Sequence, residues 1–422
     1  MVSVARLGLK DTDKKMNNGS TCSRLLLIFT VAISLCASAA SISPRRHTKA
    51  KPTTITENAH TRRRLANTHH SARVVRASVR TTARRRTSRY YERFSTSSFA
   101  EDQTVGDVLA GEDPVVRQAA INALGNMNGT IVAIDPSSGR ILAMVNQHLA
   151  LSAGATPCST IKIPVALAAL SENLVNKNTR VPISKTAGLT LTPALAHSNN
   201  AYFEAVGRKL GFERYSYYAH QFGLGELAGW NIAGEQVGRF PDVPLEAKLG
   251  GVGKMCSFGE SISMTPLQLG AIVAAIANGG TLYYLQHPTT PAEVLNFQPK
   301  VKRQLDIAPV LPQIEEGMAG AVRYGTARSL RWSFSEEEVL GKTGTCSNHG
   351  TRYGWFASFA NTDLGHIVTV VFLQGGRPTF GPKAAEITGH LYRNLYDHSF
   401  FGTAARLTPA SAPSESTAAN SH

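Results

Sequence analysis

The sequence predicts a mixed α/β fold of the α+β kind, an antiparallel five-stranded sheet flanked by helices. Three features point to it: a strand hairpin behind a capped helix, a triplet of strand-like segments later in the chain, and helix-period segments between and after them. Asp113-Pro114 opens the first helix, an acid to cap free N–H groups and a proline where a missing N–H does no harm. Val116, Ala120 and Leu124 form its apolar stripe and Gly125 stops it. Residues 130–135 and 140–145 are apolar runs on either side of Pro136-Ser137-Ser138-Gly139, two strands joined by a tight turn. Helix-like segments follow, broken by Gly211, Gly223, Gly225, Gly229 and Gly234. Beyond them Lys342 sits in an extended edge segment, residues 355–360 and 367–373 read as strands, and residues 383–396 as a closing amphipathic helix.

The 422-residue chain carries 44 Lys and Arg against 29 Asp and Glu, but the surplus is local. Residues 41–100 hold 15 basic and 2 acidic groups, residues 1–40 hold 5 and 2, and the other 322 residues hold 24 and 25. A nucleic-acid-binding domain places its positive charge on a folded face that can neutralise phosphates, so no nucleic-acid partner is expected. With 42% apolar residues the near-neutral part is globular material, and collagen-like, wholly disordered and multi-span membrane classes are excluded.

Arg24, the apolar run from Leu25, and the small residues Ala37-Ser38-Ala39 predict export by residues 1–40. The run falls just short of the ~17–25 residues that span a bilayer, so a signal peptide and an N-terminal anchor both stay open. Residues 41–100 hold too few large apolar side chains to fold and are expected as a basic disordered arm. Such an arm is either a solvated linker or an electrostatic tether to an anionic membrane or wall polymer. A disordered tail is expected over 403–422, leaving 101–402 as the folded domain.

Three clusters carry chemistry: Ser159-Thr160-Ile161-Lys162, Ser198-Asn199-Asn200 and Lys342-Thr343-Gly344-Thr345. Residues three apart on a helix share a face, so the Lys162 amine can reach the Ser159 hydroxyl. An alcohol attacks only when a base takes its proton, and a lysine serves once burial or a neighbouring cation lowers its pKa. Pro164 fits only near a helix start, which places Ser159 at the positive end of the helix dipole. Alone, this spacing also suits a solvated helix face. The Lys342 segment, with a cation, two hydroxyls and a glycine lacking a side chain, suits a peptide lying alongside an edge strand with its carboxylate held at one end.

The order Ser-x-x-Lys, Ser-x-Asn, Lys-Thr-Gly is that of the serine penicillin-recognising enzymes. More closely, the chain resembles the transpeptidase domain of class B penicillin-binding proteins. The resemblance rests on the stretch from Asn128 to Met144, on Ser198-Asn199-Asn200-Ala201-Tyr202-Phe203, on Phe222-Gly223-Leu224-Gly225, and on Thr265-Pro266-Leu267-Gln268-Leu269 with the segment 275–280. Arg323-Tyr324-Gly325-Thr326 and Trp355-Phe356 also fit, and the likeness covers about residues 101 to 400. It implies the β-lactamase/transpeptidase-like fold. The helical subdomain looks trimmed, because only 39 positions separate Ser159 from Ser198. The large N-terminal pedestal of class B members and a glycosyltransferase domain are not expected here, so strand synthesis falls to a separate glycosyltransferase.

The resemblance also implies a chemistry. Ser159 attacks the carbonyl between the last two D-Ala residues of a peptidoglycan stem peptide and becomes acylated, with D-Ala leaving. Lys162 takes the Ser159 proton, Ser198 passes a proton to the leaving nitrogen with Lys342 nearby, and Asn200 bonds the substrate amide. Thr343 and Thr345 hold the terminal carboxylate alongside Gly344, and the backbone N–H groups of Ser159 and Thr345 form an oxyanion hole. A second stem-peptide amine takes the acyl group, while β-lactam antibiotics trap Ser159. The implied protein is a D,D-transpeptidase of the bacterial cell envelope, periplasmic or at the outer face of the cytoplasmic membrane. A D,D-carboxypeptidase, a β-lactamase and a β-lactam sensor that stays acylated are the alternatives.

Of the five cysteines, Cys22 and Cys36 lie in the export segment and Cys256 stands alone. Cys158 directly precedes Ser159 and Cys346 directly follows Thr345. In the fold the resemblance implies, these positions converge on one cleft, so a disulfide is expected there, as at the same flanking positions of class A carbapenem-hydrolysing β-lactamases. Two free buried thiols are the alternative. No His-Glu-x-x-His and no Cys-x-x-Cys is present, so neither a metal nor any other cofactor is expected. His197 reads as structural. Glu172-Asn173-Leu174-Val175-Asn176 imitates a water-activating loop but precedes Ser198 instead of following it, and is taken as chance.

Overall fold

The computed structural model describes residues 93–362 and 365–400. The export segment, almost all of the basic arm and the tail expected from the sequence lie outside the described residues. Strands β1 (Gly129–Asp135) and β2 (Arg140–Val145) form the expected hairpin. Two small ribbons follow, β3 (Val181–Pro182) with β4 (Gly188–Leu189) and β5 (Thr281–Tyr283) with β6 (Val301–Gln304). Three long strands complete the set: β7 (Val339–Asn348), β8 (Thr351–Thr362) and β9 (Gly365–Gly375).

The main sheet has five strands in the order β2-β1-β9-β8-β7, every neighbouring pair antiparallel. Strand β9 pairs with β1, Val132 opposite Val370, which joins the early hairpin to the late triplet and leaves β7 as an edge. Both faces are covered. Along β1, Ile131 and Ala133 join one core cluster while Val132 and Ile134 join another, as a period of two requires. One face packs on the helices Pro114–Leu124 and Gly381–Asp397 through Val116, Leu124, Leu391 and Tyr392. The other carries the Pro266–Ala277 helix and the remaining helical centre. This double burial is why both β1 and β9 read as near-continuous apolar runs.

Local signals set the helix ends. Asp113 Oδ1 accepts from the backbone N–H groups of Val115 and Val116 at 2.9 and 3.0 Å, and Gly125 ends that helix at φ 57°. Thr265 and Gln268 form a reciprocal capping box, each side chain accepting from the other's backbone at 3.0 Å. The helical centre has the interruptions expected of it, and Gly211, Gly223, Gly225 and Gly234 adopt positive φ at them. Several buried polar groups pair with one another: Ser358, Thr369 and Tyr392 close a hydroxyl triangle at 2.9 to 3.1 Å, and Arg117 is held by Asp107 and Glu112.

Replacing Asp113 with alanine removes both cap bonds and leaves the core intact, so it is expected to cost about 1 kcal/mol. Urea denaturation would register a lower midpoint with an unchanged slope. A midpoint that does not move would show that the cap contributes nothing.

Candidate active site

Ser159 lies in a 3-10 turn, Cys158–Ile161, that runs directly into the helix Lys162–Ser171. Pro164 therefore occupies the helix's first turn, where a missing N–H costs no hydrogen bond. Thr160 closes the turn, its hydroxyl donating to the Pro157 carbonyl at 2.6 Å. The segment leading in is pinned by the Trp355 indole N–H, which donates to the Thr156 carbonyl at 3.1 Å.

The Lys162 side chain is fully buried, and its Nζ meets three oxygens: Ser159 Oγ at 2.6 Å, Asn200 Oδ1 at 2.8 Å and the Ser257 carbonyl at 2.5 Å. Two of these are carbonyl oxygens, which only accept. A neutral amine has two N–H groups and one lone pair, so the carbonyls take both N–H groups and the lone pair remains for the Ser159 hydroxyl proton. The electrostatics favour that neutral form. Burial pushes the Lys162 amine well below its ordinary value, and the nearby Lys342 cation lowers it further against a weaker opposing pull from Glu204.

Asn200 and Ser198 come from a second element. The Asn199 side chain caps the Asn200–Leu210 helix by accepting from Tyr202 N–H at 2.9 Å. This cap fixes Asn200 at the helix start. Ser198, just before it, adopts φ 55°, an uncommon backbone for a residue with a side chain. Its Oγ is buried and makes no hydrogen bond within the described protein.

The third element is β7, whose residues Lys342 to Thr345 pair with Ala357 to Gly354 of β8. Gly344 faces the nucleophile turn so closely that a β-carbon would come within 2.9 Å of the Pro157 carbonyl oxygen. That approach is the physical reason for glycine here. Lys342 is fully buried, its Nζ donating to the Thr343 carbonyl at 2.8 Å, and burial pushes its amine down to about 7. The Thr343 and Thr326 hydroxyls share a hydrogen bond of 2.6 Å. Thr345 Oγ1 accepts from Gly381 N–H at 2.8 Å, which leaves its own O–H free to donate.

Cys158 and Cys346 are disulfide-bonded, with Cα atoms 5.5 Å apart across 188 positions of sequence. The bond ties the residue before Ser159 to the residue after Thr345. Ser159, Lys162, Asn200, Gly344, Cys158 and Cys346 thus meet where one helix start, one capped helix and one sheet edge converge, and Ser198, Lys342, Thr343 and Thr345 adjoin them along the same segments. Two contacts add to the expectation: Lys342 Nζ donates to the Thr343 carbonyl, and the Asn200 carboxamide oxygen accepts from Lys162. Sequence reasoning did not single out the Ser257 carbonyl, since a backbone oxygen has no residue-type signature. Thr326 was visible only within the Arg323–Thr326 motif, without a role. Glu172 is engaged elsewhere, accepting from the Tyr218 hydroxyl at 3.0 Å. Among the described residues no group of three or more His, Cys, Asp or Glu side chains is placed to hold a metal. A cavity of about 600 Å³ lined by Trp230, His287 and Lys300 contains none of these residues, so chemistry and not cavity size locates the site.

The penicillin binding protein transpeptidase domain family matches residues 129–395. Stage V sporulation protein D of Bacillus subtilis is 30% identical over 319 residues, covering 62% of this chain and 48% of that protein. The peptidoglycan D,D-transpeptidase PbpA of Mycobacterium tuberculosis is 24% identical over 373 residues, covering 71% and 74%. The chain spans about half the length of the first curated relatives it matches. Among solved structures, a peptidoglycan glycosyltransferase from Burkholderia ambifaria superposes with a TM-score of 0.58 at 19% identity, covering 72% of this chain and 99% of that one. Pseudomonas aeruginosa PBP2 gives 0.56 at 23%, covering 71% and 75%. At such identities the structural likeness speaks for the fold. With the family match extending over more than half of the sequence, the chain belongs to the penicillin-binding protein transpeptidase domain family.

Proposed function

We propose that the protein is a peptidoglycan D,D-transpeptidase that acylates Ser159 with a D-Ala-D-Ala stem peptide and passes the acyl group to a second peptide. The observation that carries this reading is the buried Lys162 amine, 2.6 Å from Ser159 Oγ and bonded otherwise only to two acceptors. Ser159 Oγ attacks the carbonyl carbon between the two D-Ala residues as its proton moves to Lys162 Nζ. The backbone N–H groups of Ser159 and Thr345 receive the negative charge that develops on the carbonyl oxygen. The carbon–nitrogen bond then breaks, Ser198 passes a proton to the departing D-Ala amine, and an ester remains on Ser159. Lys162 returns its proton to Ser198, a stem-peptide amine then attacks the ester, and the proton that amine loses passes to the Ser159 oxygen as the new amide forms, which restores the starting state.

Substrate capture falls to β7. A peptide adding alongside this edge strand would place its terminal carboxylate near the free Thr345 O–H, with Lys342 supplying positive potential beneath. Asn200 both steadies Lys162 and offers its amide nitrogen toward a substrate amide. β-Lactams, carrying the same carboxylate beside a strained amide, enter by the same route and stay on Ser159. The reading also places the protein in the bacterial cell envelope, with residues 1–40 exporting or anchoring it. Residues 41–92 are assigned there as a linker or a tether to anionic polymer, and glycan strands come from a separate glycosyltransferase. Residues 95–100, expected in the disordered arm, instead bond to the folded domain, Ser98 Oγ accepting from Gly376 N–H at 2.7 Å. No described helix is long and apolar enough to cross a membrane.

Hydrolytic readings require a base for water, and Glu172, whose sequence neighbourhood imitates one, is bonded to Tyr218. The deciding experiment offers the purified protein a fluorescent penicillin and, separately, a donor and acceptor stem-peptide pair. Covalent labelling with cross-linked dimer is expected. Release of D-Ala without dimer would make the protein a carboxypeptidase, rapid loss of label a β-lactamase, and stable label without peptide turnover a sensor. Ser159→Ala is expected to abolish labelling, and label persisting on that variant would falsify the nucleophile assignment.

The two lysines predict opposite pH effects. Lys162, held below its ordinary value, supplies more neutral base as pH rises, so the acylation step should not slow from pH 6 to pH 8.5. Lys342 gives up its cation as pH rises through about 7, so the initial capture of an anionic β-lactam should weaken above that point. Stopped-flow acylation resolved into dissociation constant and rate constant tests both, and capture that tightens above pH 7 contradicts the role given to Lys342.

A further inference from the structure

Cys158 has φ 53°, in the left-handed region where glycine sits freely and a β-carbon meets steric resistance. It is the residue directly before the nucleophile, fully buried, and its side chain is spent on the bond to Cys346. On the other side of that bond, Cys346 directly follows Thr345 on β7. The proposed oxyanion hole uses the backbone N–H groups of Ser159 and Thr345. One covalent link therefore spans the two halves of that hole, and one of its ends holds an unfavourable backbone conformation.

We propose that the Cys158–Cys346 disulfide is a positioning device for acylation: it takes over the task a glycine would perform at position 158, holding by a covalent bond the left-handed backbone that aims the Ser159 N–H and hydroxyl. This rests on the acyl-enzyme reading of Ser159. The other contacts of the turn do not replace the bond. The Thr160 bonds to the Pro157 carbonyl span position 158 without constraining its side chain. Trp355 fixes Thr156, two residues upstream. With the bond cut, Cys158 keeps the resistance of its β-carbon and loses what offsets it, so its backbone relaxes and turns the Ser159 N–H away from its partner on β7. Reduction cuts it cleanly: a dithiol gives two electrons and two protons to the S–S bond, two thiols form, and the reductant closes to a cyclic disulfide. Cys256, the free cysteine among the described residues, is buried, and burial pushes its thiol up, so it does not compete in exchange.

The test uses glycine as the rescuing residue. Acylation by fluorescent penicillin is resolved into binding and chemical steps for the wild type with and without dithiothreitol, for Cys346→Ala, and for the double variant Cys158→Gly with Cys346→Ala. Reduced wild type and Cys346→Ala are expected to lose roughly tenfold in the chemical step, the factor that left-handed resistance supplies, with binding little changed. The double variant is expected to recover most of that rate without any bridge and to ignore dithiothreitol. A bond that only stabilises the fold predicts the reverse, since glycine loosens the chain further: the double variant would be no faster than Cys346→Ala and its rate would follow its melting temperature. That result overturns the proposal, as does reduced wild type acylating at full rate, a comparison that needs no variant to fold. Wild type that takes no label at all would instead remove the acyl-enzyme reading itself.

Discussion

The site depends on one buried amine meeting three oxygens. Taking an ammonium out of water costs far more than a few hydrogen bonds return, so a buried lysine either finds a counter-ion or gives up its proton. Around Lys162 the nearest groups are a hydroxyl, a carboxamide oxygen and a backbone carbonyl, and its charged neighbour Lys342 has the same sign. The surroundings therefore favour neutrality, and a neutral amine is both base and donor. In the proposed reaction the same three contacts serve before and after the proton moves. Before, the lone pair faces the serine hydroxyl; afterwards the new N–H faces the oxygen that gave it up. Little has to reorganise during the step, which is what preorganised catalysis requires.

Much of the fold holds that amine's partners in register. Asn200 is fixed by its neighbour's cap, Ser257 by the Gly251–Phe258 helix, and Ser159 by a turn that packs on Gly344, follows the Thr156 carbonyl held by Trp355, and is tied to β7 by the disulfide. The sheet contributes rigidity more than chemistry: its covered faces bury β8 and β9, and β7 gains its fixed edge from ten residue pairings to β8. An edge left unpaired is normally a hazard for unwanted association. In the proposed function it is the surface on which a peptide adds, with the Thr345 hydroxyl on it and the buried Lys342 beneath restricting what adds.

Much of this was legible in the chain. The capped helix at Asp113, the hairpin around Pro136 and the three late strands carry local signals, and they appear where periodicity and turn residues put them. The three chemical clusters were legible by residue type, and their convergence by resemblance. The ribbons β3–β4 and β5–β6 were not, because strands of two to four residues carry too little periodicity to stand out from loop. Nor was the division of labour at Asn200 and Lys342, where residue type says what a side chain can bond and only the fold says what it does bond. The Ser257 carbonyl belongs with these, since every residue carries one.

Ser198 shows what its proposed role would ask of the fold. Its backbone occupies a strained region and its buried Oγ has no partner within the described protein, two features that each cost stability in an ordinary core. A neighbouring hydroxyl or amide could have satisfied it, as Thr326 satisfies Thr343 only a few residues from the same cleft. An unspent hydroxyl is useful where a proton must be handed to a leaving nitrogen, because a hydroxyl already committed to a protein acceptor would first have to break that bond. The strain and the missing partner then have one cause. Holding Ser198 out of the helix that Asn199 caps keeps its oxygen away from backbone acceptors, and the cap at Asn199, with its bond to Tyr202, offsets part of the penalty.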